Sequence, residues 1–209
     1  KGSVIVKDFS AEKFKMHLKS NKVNVIKILP GGVVTAKDTA EIQLDENGEF
    51  VRNPEEDIVK VAVVERHQGT GNVACGFLKG YGIKAGAVAL SIAHDSHNII
   101  VVGVSDEEME FAVNSLIAQE GGMVLVKEGK VLESMPMPIA GLMSDQSGEW
   151  VDEKLTAIHA KAYEELGIAG DVEPVMTLCF MSLAVIPEIK LTDMGLFDVT
   201  TFSFIPVEV

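Results

Sequence analysis

Cysteine is scarce in this chain: Cys75 and Cys179, each among apolar neighbours, are the only two. They read as buried free thiols in a reducing, cytoplasmic compartment, although one bridge between them is compatible with the sequence. Their wide separation rules out the H-x-E…P-C-x-x-C pattern of the cytidine-deaminase-type zinc enzymes. Basic charge is short as well. Only 18 Lys and Arg stand against 31 Asp and Glu, a formal charge of −13, and aromatics make up 6%. A phosphate backbone needs clustered Lys and Arg, so nucleic acid is excluded as a partner. No apolar run approaches the ~20 residues of a membrane helix, and no signal peptide opens the chain, so no membrane partner is expected. G-x-S-x-G is missing too. The first residue, Lys1 rather than Met, points to a piece of a longer protein.

What is there is the sequence of a globular protein, 209 residues with 47% hydrophobic side chains and enough mass for a real core. Alternation predicts strands at Ser3–Val6, Val23–Leu29 and Val33–Leu44, and an apolar run predicts another at Ile58–Glu65. Ser10 is placed to cap a helix over Ala11–Ser20, with Phe14 and Leu18 on one face. Ser105 and Glu108 form a capping box for a helix over Asp106–Gln119, with Met109, Ala112, Val113, Leu116 and Ile117 as its buried stripe. Met123–Val126 and Val131–Met135 flank Lys127-Glu128-Gly129-Lys130, a hairpin. A second helix is expected over Glu149–Leu166, with capping as the role of Asp145, Gln146 and Ser147. The expected fold is α+β: mixed, largely antiparallel sheets with hairpins and a few packed helices. It forms one compact unit over residues 1–209, with 174–209 more loosely packed.

The most informative segment is Ala85–Val104, AGAVALSIAHDSHNIIVVGV. Two apolar runs bounded by glycine read as buried strands, and between them lies a polar knot of His94, Asp95, Ser96, His97 and Asn98. A turn built only to reverse the chain needs Gly, Asn or Asp, not two histidines. His94, Asp95 and His97 are therefore candidates for catalytic contact or for ligating a metal through two nitrogens and an oxygen. The competing reading has them tie down a tight turn through hydrogen bonds to backbone. Glu65, Arg66 and His67 leave a strand together; they either face a cleft or, for the first two, pair as ions at the sheet's end. His17 and His159 read as edge-of-core histidines. The glycines from Gly69 to Gly86 fit neither G-x-G-x-x-G nor a P-loop, since Phe77 stands where Lys is required. They read as close backbone packing.

Two stretches carry a family resemblance: VVERHQGTGNVACGFLKGYGIKAGAVALSIAHDSHNIIVVGVSDEEMEFAVNSLI and LAVIPEIKLTDMGLFDV. In these the chain resembles the C-terminal domain of the bacterial and archaeal adenine deaminases of the amidohydrolase superfamily, and the similarity spans nearly its full length. The resemblance implies hydrolysis of adenine to hypoxanthine and ammonia. It implies a divalent metal (manganese, iron or zinc) at the mouth of a (β/α)8 barrel, with ligands that include an H-x-H pair. This sequence has no H-x-H, and 209 residues cannot hold both that barrel and this domain. No barrel is expected here, and the barrel ligands map to no position of the chain.

Three partners are expected: adenine, the barrel domain of the same protein, and further copies in a homo-oligomer. His94, Asp95 and His97 would cap the site or hold an accessory metal, and Glu65, Arg66, His67 and Asn98 would contact substrate. The competing class is a non-catalytic structural or oligomerisation domain that supports the barrel.

Overall fold

The computed structural model describes all residues, Lys1–Val209. In chain order the strands are β1 (Lys22–Ile28), β2 (Thr35–Glu41), β3 (Gln43–Leu44), β4 (Phe50–Val51), β5 (Ile58–Val64), β6 (Val73–Lys79), β7 (Ala87–Leu90) and β8 (Ile99–Gly103). Helix α1 (Asp106–Ala118) follows, then the hairpin β9 (Gly122–Lys127) and β10 (Lys130–Pro136), then α2 (Gly148–Glu164) and the single turn α3 (Met176–Cys179). The chain closes with β11 (Ile189–Thr192), β12 (Gly195–Asp198) and β13 (Ser203–Phe204). Eight strands form one sheet in the order β10-β9-β7-β8-β5-β6-β1-β2. Only the β1–β6 pair is parallel. The mixed, largely antiparallel α+β fold expected from sequence is the one observed.

The central strands are buried along their whole length because both faces of the sheet are covered. Alternation sorts their side chains between two cores. Val59, Val61, Val63, Val88, Leu90, Ile100 and Val102 join the larger cluster, with Ile158 of α2 and Leu178, Ile189, Leu191 and Leu196 of the C-terminal segment. Ala62, Val64, Ala87, Ala89, Ile99 and Val101 join the second, with Met109, Ala112, Val113 and Leu116 of α1 and with Phe14. A continuous apolar run is what a strand needs when neither face meets water. The segment after Pro174, for which looser packing is expected, thus supplies part of the main core.

Helix α1 begins where the capping signal places it. The Ser105 hydroxyl accepts from the Glu108 N–H at 3.2 Å. The reciprocal half of the box is absent, because Glu108 Oε1 accepts from the Glu128 N–H instead, at 2.6 Å. Ser105→Ala should lower stability by about 1 kcal/mol in thermal unfolding; no shift in midpoint would assign the helix start to packing alone. Ser147 caps α2 in the same way, accepting from the Trp150 N–H. In the β9–β10 hairpin, Glu128 (φ 52) and Gly129 (φ 69) take the left-handed conformation of a two-residue turn whose twist suits the strands.

Two expected elements are corrected. Ala11–Ser20 is not a helix: only a single 3-10 turn forms, at Ala11–Phe14, and Ser10 makes no side-chain cap. Distant carboxylates take the backbone donors a helix would have used. Glu49 accepts from the N–H groups of Met16 and His17, both at 2.9 Å, and Glu208 accepts from those of Lys19 and Ser20. His17, expected at the core's edge, has its side chain 74% exposed. Ser3–Val6 forms no strand, and it is tied to the sheet's end through Arg66, whose carbonyl accepts from the Ile5 N–H and whose Nη1 donates to the Ser3 carbonyl.

Candidate functional site

The polar knot sits where it was expected, as the connection between β7 and β8. Those strands pair along Ala87–Gly103 to Leu90–Ile100, so the intervening residues project from one end of the sheet. The turn is closed by the His97 N–H on the Ala93 carbonyl at 2.7 Å and by a left-handed His97 (φ 54). It is also held from α3, since the His94 N–H donates to the Cys179 carbonyl at 2.9 Å. The two imidazoles meet edge to face with centroids 5.0 Å apart, and the His94 ring lies on Phe180 at 4.9 Å.

Beneath the turn lies Arg66, 1% exposed, with no carboxylate partner. Its guanidinium donates instead to four backbone carbonyls. Nε bonds to His97 O at 2.6 Å, Nη1 to Ser3 O at 3.1 Å, and Nη2 to Ser91 O at 3.3 Å and Ala140 O at 3.1 Å. Its backbone N–H donates to Asn98 Oδ1 at 3.2 Å. A planar fork with fixed donor directions suits such a junction, where the N-terminal segment, the turn and the 138–143 loop converge. The loop passes so close that a Cβ at Gly141 (φ +72) would lie 2.9 Å from Arg66 Nη1. Ser91 completes the junction: its hydroxyl donates to Gly141 O at 2.5 Å and accepts from the Gly122 N–H at 2.7 Å.

Glu65 does not pair with Arg66. Its carboxylate accepts from the N–H groups of His67, Gln68 and Thr70 and from the Thr70 hydroxyl, at 2.6 to 3.1 Å. Burial opposes the charge, but these four donors outweigh it and hold the carboxyl down at about 2. The loop so formed presents His67, whose Nε2 meets the Ser96 carbonyl at 2.7 Å. The two clusters singled out in sequence, Glu65–His67 and His94–Asn98, are therefore one assembly. Within it Glu65 and Arg66 are spent on backbone.

His67 Nε2 and Asn98 Oδ1 likewise meet backbone groups, whereas the side chains of His94, Asp95 and His97 do not. No hydrogen bond within the chain uses the side chain of His94, Asp95 or His97, and His97 Nδ1 is buried without a partner. Burial, reinforced by the nearby His94 and Arg66, pushes the His97 pKa below the usual histidine value, which favours the neutral ring. A neutral imidazole can donate at one nitrogen and accept at the other, the condition for binding or proton transfer near neutral pH.

Residues 32–203 match the family described as the adenine deaminase C-terminal domain. The chain belongs to this family. Among its relatives, adenine deaminase 2 of Desulfotalea psychrophila is 67% identical over 208 residues, 100% of this chain and 36% of that protein. The adenine deaminase of Ligilactobacillus salivarius is 50% identical over 206 residues, 99% of this chain and 36% of that protein. Adenine deaminase 2 of Carboxydothermus hydrogenoformans is 48% identical over 202 residues, 97% and 35%. The chain thus spans little more than a third of the length of these curated relatives.

No three His, Cys, Asp or Glu side chains of this adenine deaminase C-terminal domain converge to hold a metal ion. An accessory metal on His94, Asp95 and His97 would need a ligand from outside the chain. Both cysteines are free thiols, and burial pushes each up to about 12. A thiol held protonated in this way is a poor nucleophile near neutral pH. No helix is long and apolar enough to cross a membrane. One pair escaped the sequence reading: His159 of α2 bonds through Nε2 to Glu173 Oε1, close to His94. The spacing of 14 residues across a loop gives no local signal for it.

Proposed function

We propose that the chain is the C-terminal part of an adenine deaminase, and that its His94–Asp95–His97 turn completes an active site whose main groups lie outside these 209 residues. The reaction is adenine plus water to hypoxanthine plus ammonia. A divalent metal, manganese, iron or zinc, would be held by ligands of the missing portion. The observation that carries the reading is the contrast at the turn: backbone tied from beneath by Arg66, Cys179 and Ala93, side chains left unbonded at its surface. A turn whose histidines served only the fold would spend them on backbone. Rigid support under unspent imidazoles is how a contact group is held in working geometry.

In this reading His94 and His97 contact the base or the leaving amine, Asp95 orients or charges that face, and His67 and Asn98 border it. Glu65 and Arg66 are positioning residues. His94→Ala or His97→Ala in the assembled full-length enzyme should lower turnover roughly tenfold or more, the scale of a lost proton-transfer or orienting group. Unchanged kinetics with normal metal content would leave the knot a structural turn. The isolated chain should release no ammonia from adenine.

A second reading, an oligomerisation or support domain, has one observation of its own. Phe202 and Phe204 at the β12–β13 hairpin are 74% and 54% exposed and pack against Phe197 at 5.3 and 5.2 Å. Exposed aromatic clusters commonly mark interfaces. Sedimentation of wild type against Phe202→Ser separates a self-association role from a monomeric capping role.

A further inference from the structure

Beside the turn, His94 forms one wall of a cleft of about 300 Å³ between the β7–β8 connection, α2 and α3. Ile92, Met123, Leu155 and Val175 make its floor and sides, and Met176, 54% exposed, stands at its rim. No Lys or Arg lines it. The polar edge is the His159–Glu173 pair. His159 Nδ1 lies 2.7 Å from the Leu155 carbonyl, while Nε2 meets the carboxylate. Both partners are acceptors, an arrangement that favours protons on both ring nitrogens. Burial opposes the resulting charge, but Glu173 and the Leu155 carbonyl outweigh it and raise the His159 pKa. The second Glu173 oxygen accepts from the Met176 N–H. Held at both oxygens, the carboxylate still has lone pairs to accept a further N–H.

We propose that this cleft binds a planar heteroaromatic base of purine size, stacked between the His94 ring and the apolar walls and read along one edge by Glu173. The volume is at the low end for ligand pockets, which suits a free bicyclic base. With no Lys or Arg in the lining and His159 already bonded to Glu173, a phosphorylated nucleotide would find no free cation for its charge. Apolar walls with the His94 imidazole among them suit the faces of a base, and one anchored acceptor matches an N–H on its edge. The choice of a purine rests on the proposed function above. The planar shape, the neutrality and the edge acceptor rest on the cleft.

The test is adenine binding to the 209-residue chain, followed by saturation-transfer NMR and titration calorimetry, with ribose as the non-planar probe. Wild type should bind adenine and not ribose. Glu173→Ala, which removes the edge acceptor, and Leu155→Trp, which fills the cleft, should each weaken adenine roughly fivefold or more, with circular dichroism unchanged. Absence of adenine binding at about 10 mM, equal binding of ribose, or full affinity in whichever of the two variants is folded would overturn the proposal. The two readings can fail separately. Turn variants that slow the assembled enzyme while the chain shows no adenine binding would remove the cleft and keep the turn. Adenine binding abolished by the cleft variants, with turn variants at full turnover, would do the reverse.

Discussion

Arg66→Met should destabilise the fold by about 3–5 kcal/mol, the largest effect expected from one substitution at the site. The side chain is 1% exposed, and its four acceptors are carbonyls of Ser3, Ser91, His97 and Ala140. Hydrogen bonds from a charged donor are each worth roughly 1.5–3 kcal/mol, so the sum exceeds the net expected. The difference is the cost of burying the guanidinium, which methionine relieves. What methionine cannot relieve is the loss of donors for four carbonyls drawn from three separate segments. Arg66→Lys should recover less than half of the loss, because an ammonium has three donors and no planar fork to reach acceptors on several sides. Urea unfolding checks both values. A loss below about 1 kcal/mol for Arg66→Met would mean that water reaches the carbonyls and that the junction is open.

The same substitution separates support from contact. On the proposed role of the His94–His97 turn, it should lower turnover of the full-length protein, while adenine binding in the proposed cleft of the folded chain changes less. The Ile5 and His97 amides, both tied to this junction, should exchange hydrogen faster than those of β5.

The parts of this fold that were legible in the sequence are those fixed by neighbouring residues. β7 and β8 announced themselves as unbroken apolar runs, and β5 as one interrupted by Lys60 alone, because both faces of the sheet are covered. α1 was legible through Ser105 and its stripe of Met109, Ala112, Val113 and Leu116. Ala11–Ser20 was misread for the opposite reason: its donors are claimed by Glu49 and Glu208, the latter 188 residues from Ser20. No window around Ser10 contains that competitor. The candidate site divides along the same line. His94, Asp95 and His97 stood out by residue type, and their surroundings did not. Whether Arg66 faced a ligand, an anion or backbone depended on carbonyls as distant as Ala140, which no spacing rule encodes. His159 looked like a histidine satisfied at the core's edge, and its satisfaction turns out to come from Glu173 across a cleft.

Glu65 should make the stability of the site depend on pH in a defined window. Its carboxyl is held at about 2 in the fold, against 4.5 for the ordinary side chain. A depressed pKa means that the folded state binds the proton less readily than the unfolded chain. The stabilisation is therefore fully present above about pH 4.5 and is lost as pH falls through about 2. Its size at pH 7 is about 3 kcal/mol. Glu65→Gln preserves the shape but turns an amide NH2 toward a nest of N–H donors from His67, Gln68 and Thr70. Its deficit relative to wild type should be near the full value at pH 7, shrink steadily below pH 4.5 and largely disappear near pH 2. Other carboxylates with lowered pKa, among them Glu49 and Asp198, titrate in both proteins and cancel in that difference. Urea unfolding across this range decides the matter. A deficit that stays constant with pH would assign Glu65 a role through shape rather than charge. Because the loop that Glu65 organises carries His67 onto the Ser96 carbonyl, the variant should also loosen the turn. His94 and His97 would then lose part of their fixed geometry, so turnover of the assembled enzyme should fall along the same acid limb as stability.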